Sequence, residues 1–172
     1  VSFFEYASLI CKYVNSSFLI KSQNPELILE PGTAIVANTL TFFTKVLDVK
    51  TVRGKRFATV SGSIYDISPN ARSTDLPVKV HSSSPSNLRS KKTTNIVGYT
   101  CIESDVLSYD VVSSIDVGDF IQFSNVGSYS IVMRPPFIKP SSPILSISSD
   151  GSLNTIKNRE TFEHVFSEFT YE

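Results

Sequence analysis

Phe3, Phe4, Ala7, Leu9, Ile10 and Val14 fall mostly at helical spacing, which predicts one amphipathic helix over about residues 2–14. Asn15 and the Ser16–Ser17 pair are expected to end it. After a polar KSQNP turn, the run LILEPG is apolar until Pro31 and Gly32 stop it. An apolar run without alternation predicts a strand buried on both faces, as in a parallel sheet. From Thr33 the texture changes. TAIVANTLTFFTKVLDVKTV is rich in β-branched and aromatic residues, which suit a pleated surface. It reaches the polar turn Arg53-Gly54-Lys55-Arg56 and resumes as FATVSGSIY, a hairpin signal. The stretch from Ser68 to Lys92 reads as long loops around one short strand, PVKVH. TTNIVGYTCI, DVVSS, DFIQFSN, SYSIVMR and PILSIS predict further strands, with Pro135, Pro136, Pro140 and Pro143 in a loop and Asp150-Gly151 at a turn. Phe162, Val165, Phe166 and Phe169 follow an i, i+3, i+4, i+7 pattern, a short terminal helix over about 158–168.

These elements predict a mainly β fold, barrel or sandwich, after an αβ fragment. The expected boundary falls within Thr33–Asn38, giving an αβ piece at 1–35 and a β domain at 36–172. The charge balance narrows the function classes. With 16 basic and 16 acidic residues the chain lacks the electrostatic footprint of a nucleic-acid binder or a polybasic membrane-surface protein. No apolar run approaches the ~20 residues of a membrane span, and no basic segment precedes an apolar stretch at the N-terminus. Cys11 and Cys101 are the only cysteines, which reads as two reduced thiols in a cytoplasmic protein. The chain begins at Val1 without an initiator Met, which fits either processing or a fragment of a longer protein.

Candidate chemistry is sparse. His81 and His164 have no Cys or His neighbour at ligand spacing, no metal site is expected, and both read as loop or surface residues. GxSxG, HExxH, P-loop and GxGxxG patterns are absent. Arg89, Lys91 and Lys92 form a basic cluster without interleaved aromatics, which reads as a solvated loop. Composition and periodicity alone therefore leave a mainly β domain, with a stand-alone β-barrel binding module as one reading.

Three ordered segments add more. They are Glu30-Pro31-Gly32-Thr33; Gly98-Tyr99-Thr100-Cys101-Ile102-Glu103-Ser104-Asp105; and Gly118-Asp119-Phe120-Ile121-Gln122-Phe123 followed by Gly127-Ser128-Tyr129-Ser130. Together they resemble the ornithine, diaminopimelate and arginine decarboxylase family of fold type III, with its EPG-Arg, GPxC-x-x-x-D and GD-(F/W)-(I/V/L)-x-F…GAY motifs. The resemblance implies a Greek-key-type β-barrel preceded by the last αβ elements of a (β/α)8 barrel. It further implies pyridoxal 5'-phosphate as cofactor, a small amino-acid-type substrate, and active sites at a homodimer interface. By the same resemblance, Glu30 would pair with the cofactor's ring nitrogen, while Gly32, Thr33 and Tyr129 would face its phosphate. Cys101 would protonate the product carbon in a partner subunit's site. Asp105 would order the loop beyond it and, with Ile102 and Ser61, mark the substrate side. The family's Schiff-base lysine would precede Val1, so this chain by itself is expected to be inactive.

The departures carry information. Thr33 stands where the family usually has Arg, Ile102 where many members carry an acid, and Ser61 near an Asp of ornithine-type members. Phe137-Ile138 replaces a Phe-Asn pair. A pocket without those carboxylates should not prefer a plain diamino acid. The set looks most like the branch acting on larger conjugates in siderophore biosynthesis, with an ordinary diaminopimelate or ornithine decarboxylase as the alternative.

Overall fold

A computed structural model describes residues 2–17, 26–68, 75–83 and 89–170. The chain divides into two compact units, Val1–Pro31 and Gly32–Glu172. Helix α1 (Phe3–Ser17) lies in the first. Its start is a capping box: the Ser2 hydroxyl accepts from Glu5 N at 3.2 Å, and the Glu5 carboxylate accepts from Ser2 N at 2.7 Å. The bond from the Ser2 backbone, then that from its hydroxyl, hold Glu5 below the usual carboxylate range. The helix runs through Asn15–Ser17 instead of stopping there. Such residues lower helix propensity only by tenths of a kcal/mol, up to about 0.7, and Ser16 Oγ donates back to Tyr13 O at 3.0 Å. The KSQNP turn lies outside the described residues. LILEPG does not form the expected strand: residues 26–31 are irregular, with Leu27, Ile28 and Leu29 exposed. A strand buried on both faces needs ladder neighbours, and none pairs with this segment among the described residues.

The second unit opens with helix α2 (Gly32–Val36) and a 3-10 turn at Ala37–Thr39, where a strand had been expected. Six strands then form one sheet: β1 (Thr41–Val52), β2 (Lys55–Val60), β3 (Val78–His81), β4 (Lys92–Val97), β5 (Val106–Ser113) and β6 (Phe120–Ser124). Their order is β3-β6-β1-β2-β4-β5, antiparallel throughout except for the parallel β2–β4 pair. The sheet curls around a core of Val46, Ala58, Val60, Ile64, Ile96, Leu107, Ile121 and Phe123. β1 belongs to both halves of the curl because of a bulge between Val46 and Asp48. Before it, Phe42, Thr44 and Val46 point inward; after it, Val49 does. One extra residue shifts the period-2 pattern by one and bends the strand.

Two expected elements are smaller or different. SYSIVMR is a set of turns, since Tyr129 has φ 62° and Ser130 Oγ donates to Val126 O, so this stretch makes no ladder. The terminal helix is only α3 (Phe162–Val165), capped where Thr161 Oγ1 accepts from His164 N at 3.2 Å. A separate hairpin, β7 (Ile144–Ile147) and β8 (Leu153–Lys157), turns at Asp150-Gly151. Among the described residues no helix is long and apolar enough to cross a membrane.

Candidate functional site

Gly32, Thr33 and Tyr129 come together. A Cβ placed on Gly32 would lie 3.0 Å from the Tyr129 hydroxyl, and Thr33 Oγ1 is 2.9 Å from Ser128 Oγ. The turn carrying Ser128 and Tyr129 is fixed against the α2 segment. Val126 N donates to Leu40 O at 3.2 Å and Gly127 N to Ala37 O at 2.8 Å. A Cβ at Gly127 would sit 2.0 Å from Val36 O, so only glycine allows this approach. Met133 N donates to Tyr129 O at 3.0 Å on the other side. Tyr129 is thereby held with positive φ and half-exposed, a strained backbone of the kind that clusters at ligand sites. No hydrogen bond engages its hydroxyl among the described residues. A glycine with the hydroxyls of Tyr129, Thr33 and Ser128 at it and at its neighbour is a donor set that suits an anionic group such as a phosphate. Glu30 lies in the first unit, in the exposed irregular segment.

The second group of expected residues lies on the loop between β4 and β5. Cys101 is a free, exposed thiol there. Asp105 is buried and accepts from Ile64 N at 2.7 Å, Thr100 N at 3.0 Å and Thr100 Oγ1 at 2.6 Å. Thr100 Oγ1 in turn accepts from Ile102 N at 3.3 Å. Both neighbours of Cys101 are therefore tied to one carboxylate. In this chain Asp105 turns inward and organises the loop, which takes its carboxylate away from solvent. Within the loop, Tyr99 donates to Phe137 O at 3.4 Å and carries Lys139 Nζ 3.9 Å from its ring centroid. Burial foremost, with the Asp66 charge next, pushes the Tyr99 phenol above its usual range.

Ile102 lines an open groove of about 430 Å³ on the outer face of the sheet, with Lys50, Phe57, Val97, Tyr99 and Glu103. Cys101 is not among its lining residues. Ser61 is committed to the sheet: its hydroxyl lies 3.0 Å from Thr44 Oγ1 and accepts from Lys45 N at 3.0 Å.

The basic cluster is not simply a solvated loop. Arg89 Nη1 donates to both carboxylate oxygens of Asp119, at 2.9 and 2.8 Å, and the Asp119 side chain is fully buried. Asp119 also accepts from Ser83 N at 2.9 Å and Asp116 N at 2.8 Å. Burial pushes this carboxyl up. The backbone bond from Ser83, the Arg89 bond, the backbone bond from Asp116 and the Arg89 charge more than offset burial, leaving it below the usual range. Lys92 belongs to β4. His81 closes β3, with Nε2 2.8 Å from Gln122 Oε1, and His164 is exposed in α3. Sequence reasoning missed Ser128, Thr100 and the Arg89–Asp119 pair. Ser128 left a signal, as a Ser where the family motif has Ala, and Asp119 left one in the Gly118-Asp119 motif, but its pairing with Arg89 left none.

A family described as "Pyridoxal-dependent decarboxylase, C-terminal sheet domain" matches residues 11–127. The chain is 30% identical over 148 residues to the "Probable diaminopimelate decarboxylase, chloroplastic" of Oryza sativa subsp. japonica, covering 84% of this chain and 30% of that protein. It is 27% identical over 144 residues to the carboxynorspermidine/carboxyspermidine decarboxylase of Herminiimonas arsenicoxydans, covering 83% of this chain and 38% of that one. The crystal structure of diaminopimelate decarboxylase from Helicobacter pylori complexed with L-lysine shares the fold, with TM-score 0.72 at 23% identity, over 98% of this chain and 40% of that one. The chain thus spans about a third of the length of these curated relatives. From the match over most of its length, the chain belongs to the pyridoxal-dependent decarboxylase family and carries that family's C-terminal sheet domain.

Proposed function

We propose that this chain is the C-terminal part of a pyridoxal-phosphate-dependent amino-acid decarboxylase. The observation that carries the reading is the meeting of Gly32 and Thr33 with Ser128 and Tyr129, which brings a glycine and three hydroxyls together from two segments remote in sequence. Pyridoxal phosphate, when bound, supplies the electron sink that decarboxylation requires. This chain's residues do the rest of the work assigned to it. Tyr129 and Thr33 would donate hydrogen bonds to the phosphate, with Gly32 leaving room for the Tyr129 hydroxyl. Glu30 holds a proton at the ring nitrogen, because an adjacent carboxylate favours the charged form. When the C–C bond to the leaving carboxylate breaks, its electron pair stays with the substrate carbon. Cys101 gives that carbon a proton and later regains one from water. Asp105 and Thr100 keep Cys101 in place.

In the full-length protein the curled sheet closes into a Greek-key barrel, the β domain at 36–172, preceded in the chain by the last elements of a (β/α)8 barrel at 1–35. The enzyme works in the cytoplasm as a homodimer, and Cys101 serves the partner's site. Diaminopimelate is the substrate that the relatives' names favour. A second reading rests on Ile102, an apolar wall where many members carry an acid. It suits a larger conjugated amine, as in siderophore biosynthesis, and the carboxyspermidine-type relative is named for a substrate other than diaminopimelate. Carbon dioxide release by the full-length protein, measured with diaminopimelate, ornithine, arginine and carboxyspermidine, tests this. Release from one of them, dependent on added cofactor, is expected. No release from any amino acid would defeat the reading.

A further inference from the structure

The geometry points to Ser128 and Thr33 as a paired, uncharged clasp for the cofactor's phosphate, with Ser128 a binding residue in its own right. The inference rests on the cofactor reading above. Two departures from the family motifs, Thr33 for Arg and Ser128 for Ala, lie 95 residues apart in sequence and meet at 2.9 Å. A hydroxyl pair uses one hydrogen in its mutual bond, and the second hydroxyl hydrogen stays available for an outside acceptor. The Tyr129 hydroxyl is unengaged among the described residues and stands over Gly32, where a Cβ would come within 3.0 Å. The hydrogen left free by the pair and the Tyr129 hydroxyl are therefore two O–H donors at adjacent residues, Thr33 and Gly32. Their positions are fixed by the bonds of Val126, Gly127 and Met133 to flanking carbonyls.

The chemistry of such a clasp differs from that of a guanidinium. Hydroxyls donate without charge, so each bond to a phosphate is weaker than one from Arg. Attraction between opposite charges is screened by salt, whereas a neutral donor is much less sensitive. The pair replaces one charged contact with one neutral donor, the hydrogen that its mutual bond leaves free.

The test is equilibrium titration of the full-length protein, stripped of cofactor, with pyridoxal 5'-phosphate and with pyridoxal, followed by ligand fluorescence. Ser128→Ala and Thr33→Val should each weaken pyridoxal 5'-phosphate binding about fivefold, the size of one neutral hydrogen bond. Pyridoxal, which lacks the phosphate, should bind each variant as it binds the parent. The double variant should lose less than the product of the single losses, because each substitution breaks the same hydroxyl pair. Thr33→Arg combined with Ser128→Ala should recover the affinity and make it fall more steeply with salt. An equal loss for both ligands would mean that the pair merely holds the turn, and no loss for pyridoxal 5'-phosphate would mean that it makes no contact. Either result overturns the clasp while leaving the cofactor site intact. A parent protein that binds the two ligands equally well would instead overturn the phosphate site itself, and the clasp with it.

Discussion

Ile138 sits at φ 66° and is more than half exposed. A β-branched side chain adopts this left-handed conformation only with strain, whereas Asn tolerates it. The resembling family has Asn at this place, so the departure visible in the sequence acquires a physical meaning. Ile138→Asn should raise stability by about 1 kcal/mol and the melting temperature by roughly 2–4 °C. An unchanged or lower midpoint would remove the strain argument. Asp119 makes a different point. Its Gly118-Asp119 motif was legible, but its partners Ser83 and Arg89 are 36 and 30 residues away, a separation no local pattern reports. Because its folded pKa lies below the unfolded value, it contributes stability that is complete above about pH 4 and is lost as pH falls through the folded value. Asp119→Asn should therefore lower the urea midpoint at pH 7 and flatten the loss of stability below pH 4. A parallel downward shift at every pH would contradict this.

At the scale of elements, hydrophobic periodicity located β1, β2, β3 and β6 and the hairpin turn at Gly54, because each strand has one buried face. It failed where backbone groups find partners outside a ladder. The β-branched segment from Thr33 reads as strand, yet Ala37 and Leu40 offer their carbonyls to Gly127 and Val126, and tertiary contact overrides propensity. The loop Gly98–Asp105 was legible as a motif but not as a structure. Its glycine is there for space: a Cβ on Gly98 would lie 2.1 Å from the Asp105 carboxylate, and the backbone is not in the left-handed region. Gly98→Ala should cost about 1–3 kcal/mol through overpacking. Asp105→Asn should cost a similar amount by weakening bonds to Ile64 and Thr100. Because both act through one carboxylate, the double variant should cost clearly less than the sum. Additive losses in denaturant titrations would separate the two residues and undo the account of this loop.

For the whole molecule, the candidate chemistry forms two groups. Gly32, Thr33, Ser128 and Tyr129 meet at one place, the proposed cradle, and Cys101 is exposed on a loop whose neighbouring residues are tied to Asp105. In a two-fold dimer each surface is used twice, so a residue reaching into the partner's site does so in both directions. If Cys101 crosses the interface, the residues of one site come from two chains, and defects in different chains can be sorted by mixing. Gly32→Val fills the cradle, since its side chain would press on the Tyr129 hydroxyl. Cys101→Ala removes the proposed proton donor, and a general acid contributes typically about 10²–10⁴-fold to rate. Each full-length variant alone should be nearly inactive while keeping the parent's oligomeric state and circular-dichroism spectrum. Unfolded and refolded together, half of the dimers are mixed, and each mixed dimer carries one site free of both substitutions. About a quarter of the parental turnover should return. If Cys101 instead serves the cradle of its own chain, every site in every mixture carries one defect, and activity stays at the level of the separate variants.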